Sequence, residues 1–162
     1  MAKVNPIPEG YGTITPGITV RDGSKAIEFY KKAFGAEERM RMMGPDGRSI
    51  MHAELKIGTS IFMLNDESPQ MNSFSPEHYK GSPAGFYLYV SDADAVQKKA
   101  LAAGATEVMP VTDMFWGDKM GCIQDPAGHK WNIATHVRDM SPQEIQKGQE
   151  AWLAEMAKKK SH

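Results

Sequence analysis

His52 and Glu54 stand two residues apart within Ser49 to Ile57, a run whose composition reads as a β-strand. A spacing of two on a strand sends both side chains to the same face. An imidazole and a carboxylate on one face can serve as acid and base, or anchor a polar ligand. They can equally form a cross-strand hydrogen bond or a salt link on an exposed sheet face, and the spacing leaves these readings open. Two further histidines have other settings. His129 falls in a turn, where it reads as a solvated or capping residue, and His136 ends a strand, where it can tie down the segment that follows. His52, Glu54 and His136 together have donor types suited to a divalent ion such as Zn, Ni or Mn, if the fold brings them together. A second feature is Met114-Phe115-Trp116-Gly117-Asp118. Two large aromatics in a loop with glycine and aspartate suit a cavity wall, with Phe115 and Trp116 stacking on a flat ligand and Asp118 orienting it. A dimer contact or a packed lid would use the same residues. Cys122, the single cysteine, excludes an internal disulfide and reads as a small buried apolar residue in a strand. The chain contains neither a Gly-x-Ser-x-Gly nucleophile motif nor a phosphate loop or dinucleotide fingerprint.

The elements that must carry these residues repeat. A strand at Ile14 to Val20 is followed by Asp22, a helix from Ser24 to Phe34 and the stop Gly35-Ala36. Some seventy residues on, by the spacing of the motifs, Gly85 to Val90 is followed by Asp92, a helix from Ala93 to Ala103 and Gly104-Ala105. Ile27, Tyr30 and Phe34, and then Val96, Ala100 and Leu101, recur at helical spacing, and each helix ends at a glycine. Three strand-like segments follow each helix: Glu37 to Met43, Ser49 to Ile57 and Ser60 to Leu64, then Thr106 to Met109, Gly121 to Gln124 and Lys130 to Thr135. The connections Gly44-Pro45-Asp46-Gly47 and Asp125-Pro126-Ala127-Gly128 are good turn chemistry. The expected organisation is a first βαβββ module at 13–65, a linker or lid loop at 66–83, a second βαβββ module at 84–137, and a C-terminal helix at 141–160. That helix opens with the capping box Ser141-Pro142-Gln143-Glu144, and the tail from Lys158 to Lys160 reads as solvated.

At 162 residues the chain is one ordinary domain, or two small modules sharing a core. The 41% hydrophobic and 24% charged composition is that of a soluble globular protein, which sets disorder aside. A formal net charge of −1 supplies no basic field, so nucleic acid is not an expected partner. The apolar runs are too short to span a bilayer, and Met1 to Gly10 lacks the apolar core of a signal peptide; a cytoplasmic protein is expected.

Val20-Arg21-Asp22 running into Ala26-Ile27-Glu28-Phe29-Tyr30, then Phe34-Gly35-Ala36, and later Asp125-Pro126-Ala127-Gly128-His129-Lys130-Trp131, resemble the vicinal-oxygen-chelate superfamily. That group includes glyoxalase I, bleomycin-resistance proteins, fosfomycin-resistance transferases and extradiol dioxygenases. Met51-His52-Ala53-Glu54, Phe115-Trp116-Gly117-Asp118 and Ile133-Ala134-Thr135-His136 are similar to its PhnB-like, glyoxalase-related subgroup. The resemblance implies an α+β fold of two βαβββ modules with curved sheets around a cavity, usually in a dimer. It also implies metal ligands, typically His or Glu, on the first and last strands of each module. Carried over one at a time, those positions fall near Thr15, at Phe62 or Met63, near Gly85 and at Asn132. None is a His or a carboxylate, so the usual metal site is not expected.

These observations lead to a small-molecule-binding protein. The cavity would be lined by Trp116, Phe115, Phe62 and Asn132, with Asp118 orienting the ligand and His52 and Glu54 as polar anchors. The alternative is a lyase or glyoxalase-type enzyme with a relocated metal or metal-free acid–base chemistry. A homodimer is expected because the C-terminal helix carries an apolar stripe around Trp152 and Leu153 that needs a cover. Twelve methionines, Met40, Met42, Met43 and Met51 among them, suit an adaptable pocket as well as a plain core.

Overall fold

In each module an aspartate just after the first strand caps a helix. The Asp22 side chain accepts from the Lys25 N–H at 3.0 Å and that of Asp92 from Ala95 at 2.9 Å, which satisfies helix donors that have no partner within the helix. The structure, a computed structural model, describes residues 4–159; the expected helix end at Lys160 and the start at Met1 lie outside them. The first module runs β1 (Gly17–Val20), α1 (Gly23–Phe34), β2 (Glu37–Met43), β3 (Ile50–Ile57) and β4 (Ser60–Asp66). The second runs β5 (Gly85–Tyr89), α2 (Ala93–Ala102), β6 (Thr106–Asp113), β7 (Asp118–Gln124) and β8 (Lys130–His136), and α3 (Pro142–Lys159) follows. The sheets are ordered β1-β4-β3-β2 and β5-β8-β7-β6. In each, the first strand pairs parallel to the last and the other pairings are antiparallel. They are two open four-stranded sheets, not closed barrels.

The repeat extends to side chains. The first α1 N–H, from Gly23, is taken by Asp66 near the end of β4, and the first α2 N–H, from Ala93, by Thr135 Oγ1 near the end of β8. α1 and α2 pack on each other and each lies on one face of its own sheet. Ala53, Leu55 and Leu64 of the first sheet, and Ile123 and Ile133 of the second, are fully buried on that face.

The joint between modules is the turn before β8. Asp125 is buried, and its carboxylate accepts from Tyr30 Oη of α1 at 2.7 Å, Trp131 Nε1 at 2.8 Å, and the Ala127 and His129 N–H groups at 2.9 Å. Burial, reinforced by the Asp125 charge, holds the Tyr30 phenol well above its ordinary pKa. His129 is not the solvated residue its turn suggested: it is buried, with Nε2 3.0 Å from the Thr19 carbonyl of β1. The turn therefore reaches across to the other module.

Several boundaries differ from expectation for physical reasons. β1 begins at Gly17 rather than Ile14, whose side chain is exposed just ahead of Pro16. β6 does not stop at Met109 but continues to Asp113, because a bulge between Met109 and Thr112 absorbs Pro110, which cannot donate to a ladder. β7 correspondingly starts at Asp118, leaving Met114 to Gly117 as a tight hairpin turn. The segment after β4 packs back on the first module through a 3₁₀ turn at Pro69–Met71 and a Thr19–Ser73 hydroxyl contact of 2.7 Å. α3 forms with its capping box: the Ser141 N–H donates to Glu144 at 2.8 Å and Glu144 N–H to Ser141 Oγ at 3.3 Å. No helix among the described residues is long and apolar enough to cross a membrane.

Candidate functional site

Cross-strand partners share a face of a sheet. Asp118 pairs with His136, Met120 with Ala134, Cys122 and Tyr87 with Asn132, and Tyr89 with Ala134, so these side chains occupy the face of the second sheet away from α2. Asp118 organises its upper end. The residue is 3% exposed, and its Oδ2 accepts from Trp116 Nε1 at 3.0 Å and from Tyr89 Oη at 3.2 Å. Its Oδ1 lies 2.8 Å from His136 Nδ1. Asp118 thus stands behind the rim and fixes three side chains, while Trp116, edge-on to Phe115 with ring centroids 4.9 Å apart, forms the rim itself. Gly117 makes this turn possible: its φ is +96°, and a Cβ there would run into the Arg138 carbonyl. Its own carbonyl accepts from the Val137 and Arg138 N–H groups, both at 3.0 Å, which binds the turn to the chain leaving β8.

His136 bridges two carboxylates. Nδ1 meets Asp118 and Nε2 meets Asp139 at 3.0 Å. The hydrogen bond with Asp118, then that with Asp139, raises its pKa above the ordinary imidazole value. The Tyr89 phenol is raised as well, first by partial desolvation and then by its hydrogen bond to Asp118. Cys122 is buried and its thiol is raised by desolvation, which makes it a poor nucleophile.

Beside the rim, α3 crosses the β6–β7 hairpin and leaves a cavity of about 560 Å³. Met109, Met120, Phe115 and Trp116 line it from the module, and Trp152 and Met156 from the helix.

The other expected site residues are placed elsewhere. His52 and Glu54 lie on the face of the first sheet away from α1, with Met63 paired to Glu54. His52 Nε2 is 3.7 Å from Glu54 Oε1, and Arg39 is 3.8 Å from Glu54 while stacking on the Tyr11 ring. The Tyr11 phenol pKa is raised, chiefly by its hydrogen bond with Glu54. Phe62 points to the opposite, helix-covered face; it packs edge-on to Tyr30 and Trp131 with centroids 5.4 and 6.0 Å apart. It is core at the module joint and borders a separate groove of about 640 Å³. Asn132 does lie on the Trp116 side, between Tyr87 and Cys122.

The first-strand metal positions implied by the resemblance shift by two residues, while the fourth-strand ones stay at Met63 and Asn132. Gly17, not Thr15, pairs with Met63, and Tyr87, not Gly85, pairs with Asn132. The four residues Gly17, Met63, Tyr87 and Asn132 offer no imidazole, carboxylate or thiolate, and do not fit a catalytic first-row ion. His52 and Glu54 also lie on a different sheet from His136. Among the described residues no three His, Cys, Asp or Glu side chains form a group that could hold a metal.

Tyr89, Tyr11 and Arg39 were not singled out in the sequence. For Tyr89 there was a signal, since Tyr87 and Tyr89 alternate on one strand and so share a face. Tyr11 lies in an irregular stretch where no pattern marks it.

The family model for the Glyoxalase/Bleomycin resistance protein/Dioxygenase superfamily matches residues 11–133, and the chain belongs to that superfamily. A Mycobacterium tuberculosis protein is 43% identical over 136 residues, spanning 82% of this chain and 79% of that protein. Among solved structures, an Arabidopsis thaliana gene product is 31% identical with a TM-score of 0.62, covering 76% of this chain and 98% of the other. A PhnB protein of Bacillus cereus, 19% identical with a TM-score of 0.60 and covering 76% and 99%, shares the fold.

Proposed function

We propose that this protein binds a small aromatic or amphipathic molecule on the open face of its second sheet, without the superfamily's usual metal. The observation that carries this reading is the rim: a partly buried indole, Trp116, held from behind by the buried Asp118 and bordering a cavity. A ring whose polar atom is already engaged presents a fixed apolar face, which lowers the ordering cost of stacking on a flat ligand. Thermal-shift screening of planar aromatic compounds tests it. A ligand at ~100 times its Kd adds about 2.7 kcal/mol to stability. Trp116→Ala is expected to weaken binding several-fold and to cost about 1.5–3 kcal/mol through the donor lost to Asp118, the protein remaining folded; loss of folding in that variant would make the residue structural and overturn the assignment.

The same reading includes a homodimer. Met40, Met42, Met51, Tyr87 and Tyr89 are exposed, as are Trp152 and Leu153 of α3. Met40, Met42, Tyr87 and Tyr89 stand on the sheet faces away from α1 and α2, and a second copy would cover them. Sedimentation at micromolar concentration checks this, and a monomer would contradict it.

A metal-free acid–base enzyme of the lyase type is the second reading, favoured by the Asp118–His136 pair, since a carboxylate orienting an imidazole is the arrangement of a general base. Against it, Nε2 of His136 is engaged by Asp139. Purified protein that turned over a bound compound, and lost that activity in His136→Gln, would favour this reading over binding alone.

A further inference from the structure

We infer that the C-terminal helix is the roof of the binding site, and that the cavity beneath it takes a flat aromatic molecule without negative charge. This rests on the binding reading above and adds to it the helix and the ligand's chemical class. The superfamily match ends at residue 133, before α3 begins, and the Arabidopsis thaliana structure is matched over 98% of its length while covering 76% of this chain. The helix thus lies outside the superfamily match, and it is seated on the turn that carries the site. Gly148 lies so close to Phe115 that a Cβ there would sit 2.8 Å from the Phe115 Cβ, and the Trp152 ring is 6.1 Å from that of Phe115. Beyond this seat the contact is thin. Trp152 and Met156 line the cavity yet remain 47% and 39% exposed, so apolar surface is left for an occupant to cover.

The lining defines that occupant. Indole and phenyl faces with thioether sulfurs from Met109, Met120 and Met156 favour a polarisable aromatic body and adapt to its outline. Asp113 and Glu155 supply the charged side chains of the lining, and none of the described lining residues is a Lys, Arg or His. An anionic ligand would lose hydration there and gain no cation in return. A volume of about 560 Å³ is in the range that encloses a molecule of two or three rings.

Two fluorescent probes that share one ring system test this in the full chain: uncharged N-phenyl-1-naphthylamine and its sulfonated relative 1-anilinonaphthalene-8-sulfonate. The uncharged probe is expected to bind saturably and at least about tenfold more tightly than the sulfonate. Trp152→Ala should weaken it about fivefold, as loss of an aromatic contact would. Gln149→Ala, an exposed position on the same helix and outside the cavity lining, should leave it unchanged. Equal or tighter binding of the sulfonate, or no saturable binding of the uncharged probe, overturns the inference. Weakening by Trp116→Ala but not by Trp152→Ala would overturn the roof alone and leave the rim site standing. Indifference to both substitutions would remove the rim site as well.

Discussion

A carboxylate as buried as Asp118 is costly to hold charged unless donors replace the water it has lost. Trp116, Tyr89 and His136 are those donors. The consequence for His136 has a definite sign. Its pKa is raised in the folded chain, so its contribution to stability is fully present below the ordinary imidazole value, about 6.5, and is lost as pH rises through the raised one. The stability gap between the wild type and His136→Gln should therefore narrow on going from acid to alkaline solution. An NMR titration should place the His136 midpoint above the ordinary value, and Asp118→Asn should bring it down; an unmoved midpoint would show that Asp118 does not hold the imidazole. Trp116 was legible in the sequence because a large aromatic between Phe115 and Gly117 is poor turn material unless it covers something. The role of Asp118 was not. Its burial depends on where β7 starts, and the bulge at Pro110 moves that start three residues ahead of the expected Gly121.

At the scale of elements, the helices and their caps were readable because each signal is local: an aspartate before an apolar helical stripe, a glycine after it, a serine and glutamate three apart. Strand ends on the second sheet were harder to read, since proline breaks a strand pattern except on an edge or at a bulge, and β6 is both an edge strand and bulged at Pro110. Gly117 is the most demanding position in the hairpin, combining positive φ with the close approach of the Arg138 carbonyl. Gly117→Ala is expected to destabilise the fold by more than ~1 kcal/mol, through backbone strain and displacement of the chain after β8. It should also disturb Trp116, so ligand affinity would fall with stability. Urea unfolding of Gly117→Ala beside the wild type measures the loss. A Gly117→Ala protein as stable as wild type would show that the turn is looser than described.

For the whole molecule, the modules are joined by a polar node within an aromatic cluster. The pattern of residues showed the repeat and the Asp125 turn, but not that the turn bonds to α1 of the other module, because long-range pairing leaves no periodic trace in a sequence. Tyr30→Phe removes one donor from a buried carboxylate while keeping the ring, and should cost about 1.5–3 kcal/mol. Unfolding should remain a single transition, since Asp125 keeps Trp131 and two backbone donors. Two separated transitions would mean that the modules are coupled mainly through that one hydroxyl.

The sequence also placed Phe62 with Trp116 in one site, whereas the fold sets them on separate surfaces: Phe62 with Trp131 at the module joint, and Trp116 with Trp152 at the cavity under α3. The three tryptophans therefore report on these two places directly. In the NMR spectrum of the full chain, the indole N–H signals of Trp116, Trp131 and Trp152 can be followed as N-phenyl-1-naphthylamine is added. The account predicts saturable shifts of Trp116 and Trp152, while Trp131, locked to buried Asp125, stays in place. Movement of Trp131 with Trp116 and Trp152 unchanged would put the ligand in the groove beside Phe62 and contradict the site proposed for this protein.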